Sequence, residues 1–243
     1  MDHSDTLSAL LISRIHVRLG AMSVSIMPGE SEEDQIRLLG DESSFRAERR
    51  DGTLFVTQKP RSRAQTLSIV LPLSWKGALD VATLRGGISV SRVSGTDFRF
   101  RSLTGAIRTS DLVCMTLHMS TLTGKTDGNA LSADRCLIRT LTGGMLLTAC
   151  DFLSARLRAL RTRAEMDLSG TCTPLSLCCL MGSATVYVPF SLAHASVRSV
   201  RGQLVTDGVF PAPGAPRITM TSVTANLQLI CSLDEQAATF EEE

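Results

Sequence analysis

Leu103-Thr104-Gly105-Ala106-Ile107, Leu122-Thr123-Gly124 and Leu141-Thr142-Gly143 start nineteen residues apart, and reading them decides how the chain folds. Leu84-Arg85-Gly86 opens the series at the same spacing. Leu160 keeps the phase, and Leu180-Met181-Gly182 and Val200-Arg201-Gly202 follow at spacings of twenty. A unit this short can bury its apolar residues only against its neighbours, so the repeat describes stacked units rather than separate domains.

Outward from this anchor the apolar residues form columns. Five before it stand Leu79, Phe98, Leu117, Cys136, Leu175 and Ile218. Three before it stand Val81, Phe100, Met119, Ile138, Leu157 and Leu177. Four after it come Ile88, Ile107 and Met145, and six after it Val90, Leu147, Met166 and Val186. Spacing by two is the strand signature, because alternate side chains leave opposite faces of a strand. The apolar ladders are therefore expected at −5, −3, 0, +4 and +6. The glycine two after the anchor reads as a tight corner.

Two strands and a corner in about nineteen residues predict an all-β chain, a right-handed parallel β-helix or solenoid of roughly eight rungs with a small N-terminal β-cap. At ~4.8 Å per rung the stack would be on the order of 35–40 Å long. Right-handedness follows from the general hand of parallel crossovers. Leucine-rich repeats need an Asn or Cys ladder that is absent, and nineteen is no multiple of the six-residue period of a hexapeptide helix. Alternating pairs such as Ile15/Val17, Ile36/Leu38 and Leu54/Val56, with a turn at Asp51-Gly52, place the cap at 1–60. Repeats occupy 61–233, with an inserted loop at Pro211–Pro216, and a polar acidic tail spans 234–243.

Composition agrees with a narrow aliphatic interior: aromatics make up 4% and Trp75 is the single tryptophan. The seven cysteines are odd in number and several fall in core columns, so they read as reduced, buried thiols rather than a disulfide framework. That favours a reducing compartment. The start reads as no signal peptide, and no apolar run reaches the ~18–20 residues of a membrane span. The expectation is a soluble, cytoplasmic chain. The net charge of +1 gives no general attraction for anions, but charge is uneven. Glu30-Ser31-Glu32-Glu33-Asp34 and Glu241-Glu242-Glu243 are acidic, and Lys occurs only at 59, 76 and 125.

The repeat resembles the bacterial "putative adhesin" family of β-strand repeat domains. Its members open with short alternating strands, as at Ile15 to Val56, and continue with hydrophobic-Thr/Ser-Gly-x-hydrophobic repeats, as at Leu103 to Ile107. The likeness covers about residues 13 to 231 and implies the fold, with no common activity. It also looks like the bactofilins, cytoskeletal β-helices that polymerise end to end.

Catalytic motifs are absent: no nucleophile elbow, P-loop, zincin helix or dinucleotide turn. His3, His16, His118 and His194 are scattered, the Cys spacing is wrong for zinc, and the aspartates fall in different columns. No catalytic, cofactor or metal residue is assigned, and the chain reads as no enzyme. One polar feature is regular. Arg101, Arg139, Arg158 and Arg198 stand two before the anchor, and Arg99, His118 and Arg156 four before it. Both columns should face solvent as an Arg-rich stripe able to bind a protein or anionic macromolecule. The Ser/Thr columns beside the anchor, such as Ser102, Thr121 and Thr140, read as structural hydroxyl ladders. The expected function is a non-enzymatic interaction or scaffold protein. The alternative is a self-assembling, bactofilin-like element that associates at its terminal rungs, and less favoured is an enzyme of unknown class.

Overall fold

The computed structural model describes residues 5–8, 12–29, 35–60, 62, 65–170, 172 and 174–232. The acidic loop at 30–34 and the tail at 234–243 lie outside them. The first strands are β1 (Asp5–Ser8), β2 (Arg14–Leu19), β3 (Ser23–Pro28), β4 (Gln35–Leu39), β5 (Phe45–Arg50), β6 (Thr53–Gln58) and β7 (Thr66–Leu71). Then come β8 (Ala78–Thr83), β9 (Ile88–Ser91), β10 (Asp97–Ser102), β11 (Ile107–Thr121) and β12 (Thr126–Leu168). β13 (Leu175–Val188), β14 (His194–Ser199), β15 (Leu204–Asp207) and β16 (Arg217–Cys231) complete the set.

The expected right-handed parallel β-helix with a small N-terminal β-cap is overturned by the pairing. All sixteen strands belong to one mixed, open sheet, and the described residues contain no helix. Its path runs β1-β4-β7-β3-β9-β11-β10-β8-β2-β6-β5, with β12, β13, β16, β14 and β15 branching from β11. Three pairs are antiparallel: β1 with β4, β4 with β7, and β5 with β6. The β5–β6 hairpin is dictated by its turn. Asp51 and Gly52 have φ of 47° and 69°, and a two-residue loop with both residues left-handed joins only antiparallel strands.

The N-terminal strands do not form a cap over the repeat. β2 is inserted between β6 and β8, and β3 between β7 and β9. The other end shows the same exchange. β16 lies between β13 on one side and β14 and β15 on the other, so the last strands in sequence are not the last in space. The nineteen-residue spacing reports the local register of neighbouring segments, as in Phe98↔Leu117 and Ile107↔Thr126. It carries no information about strand order or direction where the repeat stops.

Four of the five apolar columns are interior, with Leu79, Phe100, Ile107 and Leu147 each at most 1% exposed. They belong to one continuous core from Ile12 to Cys231. Trp75 closes it at the N-terminal side, donating its indole N–H to the Ile12 carbonyl at 2.8 Å.

The anchor column is the exception. Leu84, Leu103, Leu122, Leu141, Leu160 and Leu180 are all exposed, as are Val223 and Val200 beyond them. Parity explains this. Thr83, Ser102, Thr121 and Thr140, one before the anchor, point inward, and so do Gly86, Gly105 and Gly124 two after it. Two consecutive outward residues, the anchor and its successor, make the bend between them. A second bend needs left-handed backbone at Arg92, Asp111, Ala130 and Ala149, nineteen residues apart with φ of 51° to 55°. No glycine marks it.

Candidate functional site: the arginine face

Alternation puts the columns two, four and six before the anchor on one outward face of β8, β10, β11, β12, β13, β16 and β14. Of the arginines that sequence reasoning selected, Arg99, Arg139, Arg156, Arg158 and Arg198 are exposed, and Arg101 is half-buried. Register sets their neighbours. Arg99 pairs with His118, and Arg101 with Ser120, which pairs in turn with Arg139. Arg156 pairs with Ser176 and Arg158 with Cys178. Arg198 pairs with Thr221, which itself pairs with Cys178. The insertion of β16 therefore places Thr221 as well as Cys178 between Arg158 and Arg198.

The face divides into two halves of different chemistry. At the N-terminal half Arg101 is not free. Asp80 lies between Arg18, at 2.9 Å, and Arg101, at 3.0 Å, and His16 Nδ1 stands 3.4 Å from the same carboxylate. Burial would raise the Asp80 carboxyl, but the hydrogen bonds from Arg18 and Arg101 outweigh it and hold it below its usual value. His16 is pushed down, first by burial and then by Arg18, against the opposing pull of Asp80. His118 is lowered by burial and then by Arg139 and Arg99. Its Nε2 has no hydrogen-bond partner. A cleft of about 360 Å³ here is lined by Arg14, His16, Asp80, Asp97, Arg99 and His118, so its charge is mixed.

The C-terminal half is a basin of one sign. A depression of about 480 Å³ is lined by His194, Ser196, Arg198, Arg217, Thr219 and Thr221. His194 pairs directly with Arg217, and Ser196 with Thr219. Beyond Ser176 and Cys178 the same surface continues into Arg156 and Arg158. Among the described residues, none of Arg156, Arg158, Arg198 and Arg217 makes an ion pair. Two guanidinium groups beside a floor of hydroxyls, with Arg156 and Arg158 further along the same face, suit oxyanions, which guanidinium binds through two parallel N–H donors while hydroxyls donate to the remaining oxygen lone pairs.

Sequence reasoning missed Asp80 as a partner, and Arg18, Arg217 and His194 as members of this face. The signal was present in the parity. Arg217 and His194 stand six before Val223 and Val200, an even offset like those of the selected arginines. Arg18 could not be placed from the repeat, because β2 precedes it in sequence.

No group of three His, Cys, Asp or Glu among the described residues could hold a metal ion. The seven cysteines are free; Cys178 is exposed and the others are buried. Burial pushes the thiols of Cys114, Cys150 and Cys172 up to about 12. They act as small apolar groups, not nucleophiles.

No protein-family model matches the chain, and no curated protein matches its sequence. Solved structures do share its fold. A crystal structure of a "putative adhesin" from Bacteroides fragilis superposes with a TM-score of 0.57 at 9% identity, covering 94% of this chain and 97% of that one. One from Parabacteroides distasonis, also called a "putative adhesin", gives 0.58 at 10% identity over 94% and 97%. Among the described residues no helix is long and apolar enough to cross a membrane.

Proposed function

We propose that this chain is a non-enzymatic binding protein whose partner is an anionic macromolecule held on the arginine face, chiefly in the C-terminal basin. One observation carries the reading: Arg156, Arg158, Arg198 and Arg217 share a face with hydroxyls between them and no carboxylate partner. A field of one sign with no carboxylate to offset it attracts an anion. The names of the two bacterial structures that share the fold point to binding rather than catalysis, and we extend that role to this chain. The seven free thiols support a reducing compartment, such as the cytoplasm.

The test is binding to heparin and to polyphosphate, followed by calorimetry across salt. The native chain should bind either polyanion with an affinity that falls as salt rises. Arg158→Gln, Arg198→Gln and Arg217→Gln together should weaken binding about tenfold or more. Arg101→Gln should change it little, because Arg101 is half-buried, ion-paired to Asp80 and outside the basin. Absence of binding at low salt, or a triple variant that binds like the native chain, would overturn the reading. A second reading, association of copies, is favoured by β14 and β15, which among the described residues pair with β16 on one side alone. Mass that grows with concentration in light scattering would support it.

A further inference from the structure

We propose that the leucine ridge, with the arginine columns beside it, forms a surface that seats on an anionic phospholipid bilayer. This rests on the reading that the arginine face binds anions, and it names the anion's source.

The ridge is continuous. Hydrogen bonds from Thr104 to Leu84, from Thr123 to Leu103 and from Thr142 to Leu122 keep successive anchors in step. The same contact joins Arg201 to Val223. Eight anchors at ~4.8 Å make an apolar edge about 34 Å long. Each is 38% to 77% exposed. Scattered exposed leucines are ordinary on a surface, but an unbroken file of them is not.

Charge flanks the file on both sides. Arg139, Arg158 and Arg198 stand two before their anchors, and Arg85, Arg161 and Arg201 one after theirs. Neither flanking column contains a carboxylate between 82 and 224. At one end Leu84, Leu103 and Leu122 share a shallow groove of about 350 Å³ with Arg101.

This combination selects the occupant. A second copy docking ridge to ridge would oppose arginine to arginine. A protein partner would find an apolar edge with no aromatic anchor in it. A nucleic acid or polysaccharide would engage the arginines and leave the leucines unexplained. A bilayer surface takes both. Leucine side chains enter the boundary between headgroups and acyl chains, while arginine side chains reach outward to phosphate.

The experiment floats the full chain with vesicles of zwitterionic phospholipid alone, or with about a third anionic phospholipid. The native chain should float with the anionic vesicles and hardly with the neutral ones. Leu103→Gln, Leu122→Gln and Leu141→Gln together should lower partitioning about tenfold or more while heparin binding stays. Arg139→Gln and Arg158→Gln should each lower it about fivefold. If the leucine variant does not fold, a polarity-sensitive dye on native Cys178, two residues before Leu180, should shift to the blue on anionic vesicles only. A leucine variant that binds vesicles like the native chain, equal binding to neutral vesicles, or a dye that does not respond would overturn the proposal. Heparin binding without vesicle binding overturns this docking and leaves the anion reading intact, whereas loss of both removes both. If mass grows with concentration and the leucine substitutions reverse it, a second copy covers the ridge and the bilayer proposal fails.

Discussion

A Cβ placed on Gly105 would lie 2.0 Å from the carbonyl oxygen of Gly86, one repeat earlier in the chain. The same contact recurs between Gly124 and Gly105 at 2.1 Å. The glycine column therefore exists because one backbone passes against the next, and neither Gly105 nor Gly124 adopts a left-handed φ. Gly105→Ala is expected to destabilise the chain by about 3 kcal/mol or more, since backbone must move to admit the methyl group. Gly87→Ala, whose added Cβ would meet its nearest atom at 3.5 Å, should cost little. Urea unfolding of both variants checks this, and equal losses would refute the close-approach account.

Asp80 binds Arg18 and Arg101 and titrates below its usual value. Its folded value lies below the unfolded one, so its contribution is complete above the unfolded value of about 4. It is lost as pH falls through the folded value. Asp80→Asn should cost about 1 kcal/mol at neutral pH, a modest figure because the arginines are part-exposed and screened. The variant's stability should also fall less between neutral pH and acid than the native chain's. Thermal melts across that range decide it, and parallel curves would exclude the cluster as a source of acid sensitivity.

Cys178 is the exposed thiol, and the other six are buried. A thiol reagent at neutral pH should modify one cysteine per native chain rapidly and the rest only on unfolding. Cys178→Ser should abolish the rapid phase. Two or more rapid equivalents in the native chain would contradict the burial of the other six.

Thr121 lies buried with its hydroxyl 3.1 Å from the Gly124 carbonyl and 3.1 Å from Thr140 Oγ1. Thr83 and Ser102 repeat the contact at 3.0 Å. Thr121→Val preserves shape and removes the hydroxyl, and should cost about 1 kcal/mol. Exposed Thr104, whose hydroxyl reaches the Leu84 carbonyl at 3.4 Å, should tolerate the same change. Denaturant midpoints of the two variants separate these outcomes.

Much of the interior was legible in the order of residues. Phe98, Leu117 and Cys136 were readable as one column and do share a register. The solvent-facing arginines were readable from parity, and the Asp51-Gly52 turn from its dipeptide. The anchor leucines were legible as a ladder but not as an outward one, because periodicity marks recurrence and leaves open which side of a bend the recurring residue takes. The right-handed parallel β-helix did not form: all sixteen strands share one mixed, open sheet, in which β2 and β16 insert between segments that the repeat would have made neighbours.

From sequence alone came strand periodicity, the nineteen-residue register and the buried aliphatic columns, since these depend on the alternation of side chains along a single strand. Tertiary structure alone decided the order of strands at the two ends, the ion pairing of Arg101 with Asp80, and the outward turn of the leucine ridge. Each of those depends on contacts between segments far apart in the chain, such as Arg18 with Asp80, whose residues carry no mark of one another until the sheet brings them together.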